Sequence, residues 1–419
     1  AYVAGIRYLV EDDRGPYIWR TEDYGATWTK IVDGIPEDDF VRAVREDPER
    51  AGLLYAASEE TVYVSWDDGG YWQPLTLNLP TVQVADLVVK EDDLVIATHG
   101  RSFWILYGIG PLRQLDPEIL GSEAHLFQPA DVLRGIDQTV EVPYYLAEDA
   151  EEVEMTFFDA SGEAVQTFSA QSPDQEEEGE DEEEETSSIA RYPQRPSPST
   201  RDGMNRFRWN MRLDGYTDFE GRIFWAAGNI GPALVPGEYS VRLVVDGAEV
   251  GTRMFHLGLD PRIDGVTQGD LQARFDLAVR IRDRVTDANE AVILIRQIKG
   301  ELDERMETSD DPALETSATQ FEEALSAVES EIYQVRNRSN QDPLNFPIKL
   351  NNKLAALLGV VEGSESRPTA QSYQVFDYLD ELLQTEVDRL HRLLDEDLRA
   401  LNEQLSEMGM DPISTEMRG

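Results

Sequence analysis

"RTEDYGATWTKI" (residues 20–31) returns in altered form as "VSWDDGGYWQPL" (64–75). Asp23 maps to Asp67, Gly25 to Gly69 and Trp28 to Trp72, and 67 − 23 gives an offset of 44 residues. Thr21 and Ser65 stand two places before the aspartates. An aspartate in such a turn accepts hydrogen bonds from backbone N–H groups of its own turn, and a Ser or Thr hydroxyl does so more weakly. Glycine permits the positive φ that follows, and the tryptophan serves as an apolar anchor beneath the hairpin. Nothing in that arrangement needs a substrate. Thr21, Asp23, Gly25, Trp28, Ser65, Asp67, Gly69 and Trp72 are therefore expected to hold strands together.

Each copy keeps one order: an apolar strand, the turn, a "W-x-x-[IL]" strand, then "GIP" (34–36) or "NLP" (78–80). Strands rich in β-branched and aromatic residues at that period match blades of four short strands, so residues 1–106 are expected to be about two blades of a β-propeller. A proline- and glycine-marked linker is expected over 107–124. Residues 125–260 alternate apolar and polar positions, with "DASGE" and "VDGAE" as hairpin turns, which suits a sandwich of the immunoglobulin or fibronectin kind. Its pattern is broken at 174–203 by an acidic, then Pro/Ser-rich insertion with too few apolar residues for a core, read as a solvated, mobile loop. From Gly269 the period becomes helical: Leu271, Phe275, Ala278, Ile281 and Val285 open one stripe, and Phe376, Leu379, Leu383, Val387 and Leu390 another. Asp270 suits the N-cap of the first helix. Residues 266–410 are expected to form an antiparallel helical bundle. The fold class is multidomain β plus α.

These stretches also carry a resemblance. "TEDYGATW" and "SWDDGGYW" resemble the Asp-box (BNR) repeats of sialidase and sortilin-type (VPS10-like) propellers, and "DLVVKEDDLVIATHGRSFWILYGIGPLRQL" (86–115) resembles the closing blade of bacterial BNR-repeat "glycosyl hydrolase" or sortilin N-terminal-like proteins. "MNRFRWNMR", "GNIGPALVPGEYSVRLVVDG", "DLQARFDLAVRIRDRV" and "FPIKLNNKLAALLGVVEGSESRPTAQSYQVF" look like the sandwich and helical tail of the same proteins. The resemblance covers nearly the whole chain, as the family's C-terminal part, and implies a longer propeller before it. Tyr71 departs from the threonine common at that place in the box. The expected partner is thus a set of missing N-terminal propeller blades, on the same protein or a separate chain, with a carbohydrate or peptide ligand possible. The preferred function is a non-catalytic assembly and binding part of an exported protein, at the periplasm, cell surface or beyond. The alternatives are part of a glycoside hydrolase whose catalytic residues lie mainly on upstream blades, and a sortilin-like peptide-binding propeller.

Glycosidases need two carboxylates about 5–10 Å apart across the scissile bond. Among 83 acidic residues the sequence selects no pair, so the catalytic residues stay unknown. His99, His125, His256 and His391 are scattered, no cysteine is present, and neither a metal nor a cofactor is expected. His99-Gly100-Arg101 is read as a turn at the closing strand, and Arg206, Arg208 and Trp209 as alternation along a sandwich strand rather than a sugar platform. No apolar run approaches the roughly 20 residues of a membrane span.

The chain has 37 basic residues against 83 acidic ones, a net charge of −46. That excess repels nucleic-acid phosphates and anionic membranes. Its spread through every segment suits solvation in concentrated salt, as in a halophilic bacterium, because a Debye length of roughly 3 Å at 1 M screens the self-repulsion. Thermal melts from about 1 M down to about 0.01 M salt are expected to show a falling melting temperature. A melting temperature constant across that range would remove the halophile reading.

Overall fold

The computed structural model describes residues 1–172, 196–309 and 311–416. Its first part is three small antiparallel sheets in series. Sheet one contains β1 (Tyr2–Ala4), β2 (Ile18–Arg20) and β3 (Thr29–Lys30), with the short helix α1 (Tyr8–Glu11) between its first two strands. Sheet two contains β4 (Val41–Glu46), β5 (Leu54–Ser58), β6 (Val62–Ser65) and β7 (Gln73–Pro74), and sheet three contains β8 (Val84–Lys90), β9 (Asp93–Thr98) and β10 (Phe103–Leu106). The 44-residue repeat spans the β2–β3 and β6–β7 hairpins. Sheet three has no such turn, because β10 runs directly into the exit, so two repeated turns correspond to three sheets.

Sheet two is buried on both faces, which is why "LLYAASEETVYVS" reads as nearly continuous apolar sequence instead of alternating. Toward sheet one it presents Val41, Leu54, Ala56, Tyr63 and Trp72, which meet Ile18 and Ile31. Toward sheet three it presents Ala43, Tyr55, Ala57, Val62 and Val64, which meet Leu87, Leu94 and Ile96. Among the described residues, sheets one and three have only one covered face each. Val3, Val88, Phe103 and Ile105 are exposed on the other.

The chain leaves sheet three through α2 (Gly110–Gln114) and α3 (Pro117–Leu120). This connection is fastened rather than free. Arg113 chelates the buried Asp47 carboxylate at 3.0 and 3.1 Å, and Arg50 donates to the Leu112, Arg113 and Leu115 carbonyls.

Next come β11 (Ala124–Leu126), β12 (Val132–Arg134), β13 (Val140–Leu146), β14 (Glu152–Phe158), β15 (Ala164–Gln171), β16 (Gly203–Trp209), β17 (Gly237–Val245) and β18 (Ala248–Leu259). They make a three-stranded sheet, β11-β13-β16, facing a five-stranded one, β12-β18-β17-β14-β15. Phe157 is central to the shared core, its ring 4.1 Å from Trp209 and 6.4 Å from Phe255. Most of the insertion expected at 174–203 lies outside the described residues. Its last stretch packs on the sandwich: Thr200 is buried, its carbonyl accepts from Ala150 N–H at 2.7 Å, and the Ser199 carbonyl accepts from Tyr144 at 2.5 Å.

The helical part comprises α4 (Gln268–Met306), α5 (Pro312–Ile332), α6 (Leu350–Glu362), α7 (Ala370–Arg392) and α8 (Arg399–Glu407) around one apolar core. The expected cap of α4 is displaced. Thr267 is the N-cap and Asp270 is N3, and the two form a reciprocal capping box, because the threonine's extended backbone leaves its hydroxyl free to reach Asp270 N–H. A π turn at Leu393–Leu398 interrupts the final helix between α7 and α8.

Residues 211–236, between β16 and β17, cross from the sandwich to the helices. Tyr216 enters the helical core, Asn289 donates to the Thr217 carbonyl at 2.7 Å, and Asn352 brackets Trp225 through both its N–H and its carbonyl. Arg134, Arg212 and Arg274 converge on Glu362 and Glu365 at the same junction. Burial, with Arg274 beside it, pulls the Arg134 guanidinium below its ordinary pKa.

The two repeated tryptophans differ in environment, and their truncations are expected to differ accordingly. Trp72→Ala opens a cavity between sheets and is expected to cost about 3–5 kcal/mol. Trp28→Ala, half exposed, is expected to cost less than about 1 kcal/mol. Urea melts of the two variants would check this, and equal losses would contradict it.

Candidate functional site

In the first turn Asp23 Oδ1 accepts from Thr27 N–H at 2.8 Å and from the Thr21 hydroxyl at 2.9 Å, while Thr21 Oγ1 accepts from Gly25 N–H at 2.9 Å. The second turn repeats this: Asp67 Oδ1 accepts from Tyr71 N–H at 2.9 Å and Ser65 Oγ at 2.7 Å, and Ser65 Oγ accepts from Gly69 N–H at 3.0 Å. Gly25 and Gly69 sit at φ of 90° and 82°. At Tyr71 the bond is made by backbone N–H, so having tyrosine where the first turn has Thr27 removes only the extra hydroxyl contact seen from Thr27 to Asp23.

The Thr27 backbone and side-chain hydrogen bonds pull Asp23 down to about 2. Burial alone would raise Asp67, but the bonds from Tyr71 and Ser65 outweigh it and hold that carboxyl below its usual range.

The surroundings of the two turns diverge. Trp72 is 0% exposed, and its indole N–H donates to the Ile31 carbonyl at 3.0 Å, across the boundary between sheets one and two. Asp68 adds to that boundary by accepting from Tyr2 at 2.5 Å and Arg20 at 2.6 Å. A Cβ on Gly34 would lie 2.1 Å from the Trp72 carbonyl, so "GIP" needs its glycine for close approach. Trp28 is 45% exposed and folds over its own turn, donating to Gly25 O at 3.2 Å. Anchoring beneath a hairpin thus describes Trp72 but not Trp28, because among the described residues no further sheet covers sheet one.

Strand direction puts both turns at one end of the sheets and a second set of loops at the other. That other end holds Asp39, Phe40, Arg42 and Glu59, the α1 loop, and His99-Gly100-Arg101. Asp39 is 2% exposed; one oxygen accepts from Tyr63 at 3.0 Å and the other has no protein partner. Burial, then the Asp39 charge, raises the Tyr63 phenol well above its ordinary pKa. Arg42 pairs with Glu59 at 2.6 Å and lies over the Phe40 ring, which stacks on Tyr8 at 4.5 Å. This end of the sheets thus sets a buried, unpaired carboxylate oxygen beside a charged pair and an aromatic stack. Sequence reasoning missed it because Asp39 is one aspartate among many, and what distinguishes it from the other buried aspartates, Asp47 and Asp260, is a buried oxygen without a protein partner.

The remaining candidates are separate from it. His99 N–H donates to Gln83 O at 2.9 Å, and Gly100 and Ser102 take positive φ in that turn. His125 packs edge-on to Phe127, and burial first, then Arg253, lowers its pKa. His256 Nδ1 lies 2.8 Å from Glu238. Arg206 donates to the Tyr107 and Gly108 carbonyls and pairs with Glu141, Arg208 shares that glutamate, and Trp209 is buried. Arg206 thereby fastens the sandwich to the preceding segment, while Arg208 ties two strands within the sandwich. Among the described residues no three or more His, Asp or Glu side chains cluster as metal ligands, and no helix is long and apolar enough to cross a membrane. A cleft of about 700 Å³ opens at one end of the sandwich, lined by Glu123, Glu148, Asp149, Asp246 and Glu249 over Leu146 and Val250.

No protein-family model matches the chain, and no curated protein does. Among solved structures it is similar to the extracellular domain of a hybrid two-component system from B. thetaiotaomicron, at 9% identity and a TM-score of 0.20, over 59% of this chain and 29% of that one. It is also similar to an ancestral GH74 enzyme, at 16% identity and a TM-score of 0.16, over 38% of this chain and 23% of that one. The chain spans less than a third of the length of either.

A depressed carboxylate pKa contributes stability that is present above the unfolded value of about 3.9 and lost as pH falls through the folded value. For Asp23 that window runs from about 4 down to about 2. Asp23→Asn is expected to be less stable than the parent at pH 6, with the gap closing toward pH 2. Paired melts across that range would check the sign, and a gap that widens with acid would contradict it.

Proposed function

We propose that this chain is a non-catalytic assembly and binding part of an exported propeller protein. The observation that carries the reading is sheet two, saturated on both faces, between two sheets that each leave an apolar face uncovered. Blades of a propeller bury both faces against neighbours, so the three sheets read as an arc to be completed by further blades. On this reading the Asp-box residues fasten strands, Trp72 bolts neighbouring blades, and Trp28 awaits its equivalent contact. Arginine–glutamate and asparagine contacts bind the sandwich to the helices. A net charge of −46 suits an exported protein of a saline habitat.

A second reading has one observation in its favour. The buried Asp39–Tyr63 pair and Arg42 lie at the end of the sheets opposite the Asp boxes, where a ligand could approach the arc. That arrangement suits a binding face for sugar or peptide, and would suit one wall of a glycosidase cleft if further blades supplied a facing carboxylate.

Incubating the protein from its native source with aryl glycosides and polysaccharides separates the two. No turnover is expected, and Asp39→Ala is expected to weaken retention on a carbohydrate or peptide column at most. Hydrolysis abolished by Asp39→Ala would make the enzyme reading the better one.

A further inference from the structure

Sheet two is complete and can serve as a template for its neighbours. The pairing Ala4↔Ile18 in sheet one matches Ala57↔Val62 in sheet two, since Ile18 and Val62 are separated by the repeat offset of 44. By the same register Tyr2 corresponds to Tyr55, and β1 to β5. In sheet three, Ala97↔Phe103 and Val95↔Ile105 match Ala57↔Val62 and Tyr55↔Val64, so β10 corresponds to β6. Among the described residues sheet one therefore has no counterpart of β4, and sheet three none of β7.

The hydrogen-bond parity agrees. Thr21 N–H donates to Ala1 O and Gly5 N–H to Tyr17 O, so odd residues of β1 bond to β2 while Tyr2 and Ala4 direct their backbone groups to the free edge. Tyr55 and Ala57, their counterparts, pair with Arg45 and Ala43 of β4. At the other end Thr98 N–H donates to Ser102 O, which leaves Phe103 and Ile105 with outward backbone groups, as Val62 and Val64 have toward β7. The side chains repeat the pattern: Phe103 and Ile105, 75% and 42% exposed, occupy the places of Val62 and Val64, which are buried against sheet three.

We propose that both free edges are strand-acceptor sites, deepening the assembly reading on which this rests. The occupant is a polypeptide bearing further sheets of the same repeat. It adds an antiparallel strand to Tyr2–Ala4 in the register that β4 takes on β5, and another to Phe103–Leu106 in the register that β7 takes on β6. Its apolar faces then cover Val3 and Trp19 at one end and Phe103 and Ile105 at the other. The argument is continuity with an interface the chain already makes twice. Edge strands of this kind pair through backbone groups, with alternate side chains setting specificity.

The chain supplies its own probe. A copy of residues 38–53, joined directly ahead of Ala1, carries the β4 strand and its native connection in register. Amide exchange followed by NMR reads the result. In the unfused 419-residue chain, Tyr2 and Ala4 amides are expected to exchange about 100-fold faster than those of Tyr55 and Ala57. In the fused chain they are expected to slow at least about tenfold, and a fused chain with one extra residue at the junction, which turns the strand's faces over, is expected to lose that protection. Fast exchange in the in-register fusion, equal protection in both fusions, or slow exchange already in the unfused chain would overturn the proposal. A fused chain that gains protection while the native-source protein hydrolyses glycosides would keep the strand-acceptor sites and discard the non-catalytic reading.

Discussion

Trp72 is the contact on which the first third of the molecule depends. It lies in a turn of sheet two, yet its indole bonds to a carbonyl of the strand that leaves sheet one, and its backbone meets Gly34 at a distance only glycine allows. One side chain thus ties hairpin geometry to the spacing between sheets. Asp67 and Ser65 matter because they fix the loop that aims Trp72, and Asp68 because it reaches back to Tyr2 and Arg20 from the same loop. Desolvating a tryptophan is worth several kcal/mol only when its N–H finds a partner, and Ile31 O supplies one.

A sheet saturated on both faces imposes a condition on its neighbours. Each of them has a second face of the same kind, and in this chain those faces carry Trp19 with Val3 at one end and Phe103 with Ile105 at the other. The sandwich and helices solve the opposite problem. Their junction is held by a largely buried network in which Arg134, Arg212 and Arg274 pair with Glu362 and Glu365 and bond several carbonyls, with asparagines acting as substitute peptide groups along residues 211–236. Buried charges of this kind are costly to unpair, so the junction favours one relative placement of the two parts.

Much of this architecture is legible in the sequence. The offset of 44 marks the hairpins, strict alternation marks the sandwich strands, and the three-four stepping marks α4 and α7. The third sheet is hidden because it has no copy of the repeated Asp, Gly and Trp turn, and the cap of α4 because Thr267 and Asp270 are both good capping residues. Asn351 and Asn352 carry no signal in the sequence, although they are buried partners of Asn289 and Trp225. The candidate site was less legible than the fold. Asp39 stands out by a buried oxygen that no protein group satisfies, a property set by the tertiary surroundings of its bond to Tyr63, which no local pattern encodes.

The central claim is that the outer faces of sheets one and three are interfaces. Hydroxyl-radical footprinting of Trp19, Phe103 and Tyr107, in the 419-residue chain alone and in the protein isolated from its native source, tests it most directly. The account predicts strong labelling of these side chains in the isolated chain and marked protection in the native-source protein, with Trp72 protected in both. Equal labelling of Trp19 and Phe103 in the two preparations would contradict it.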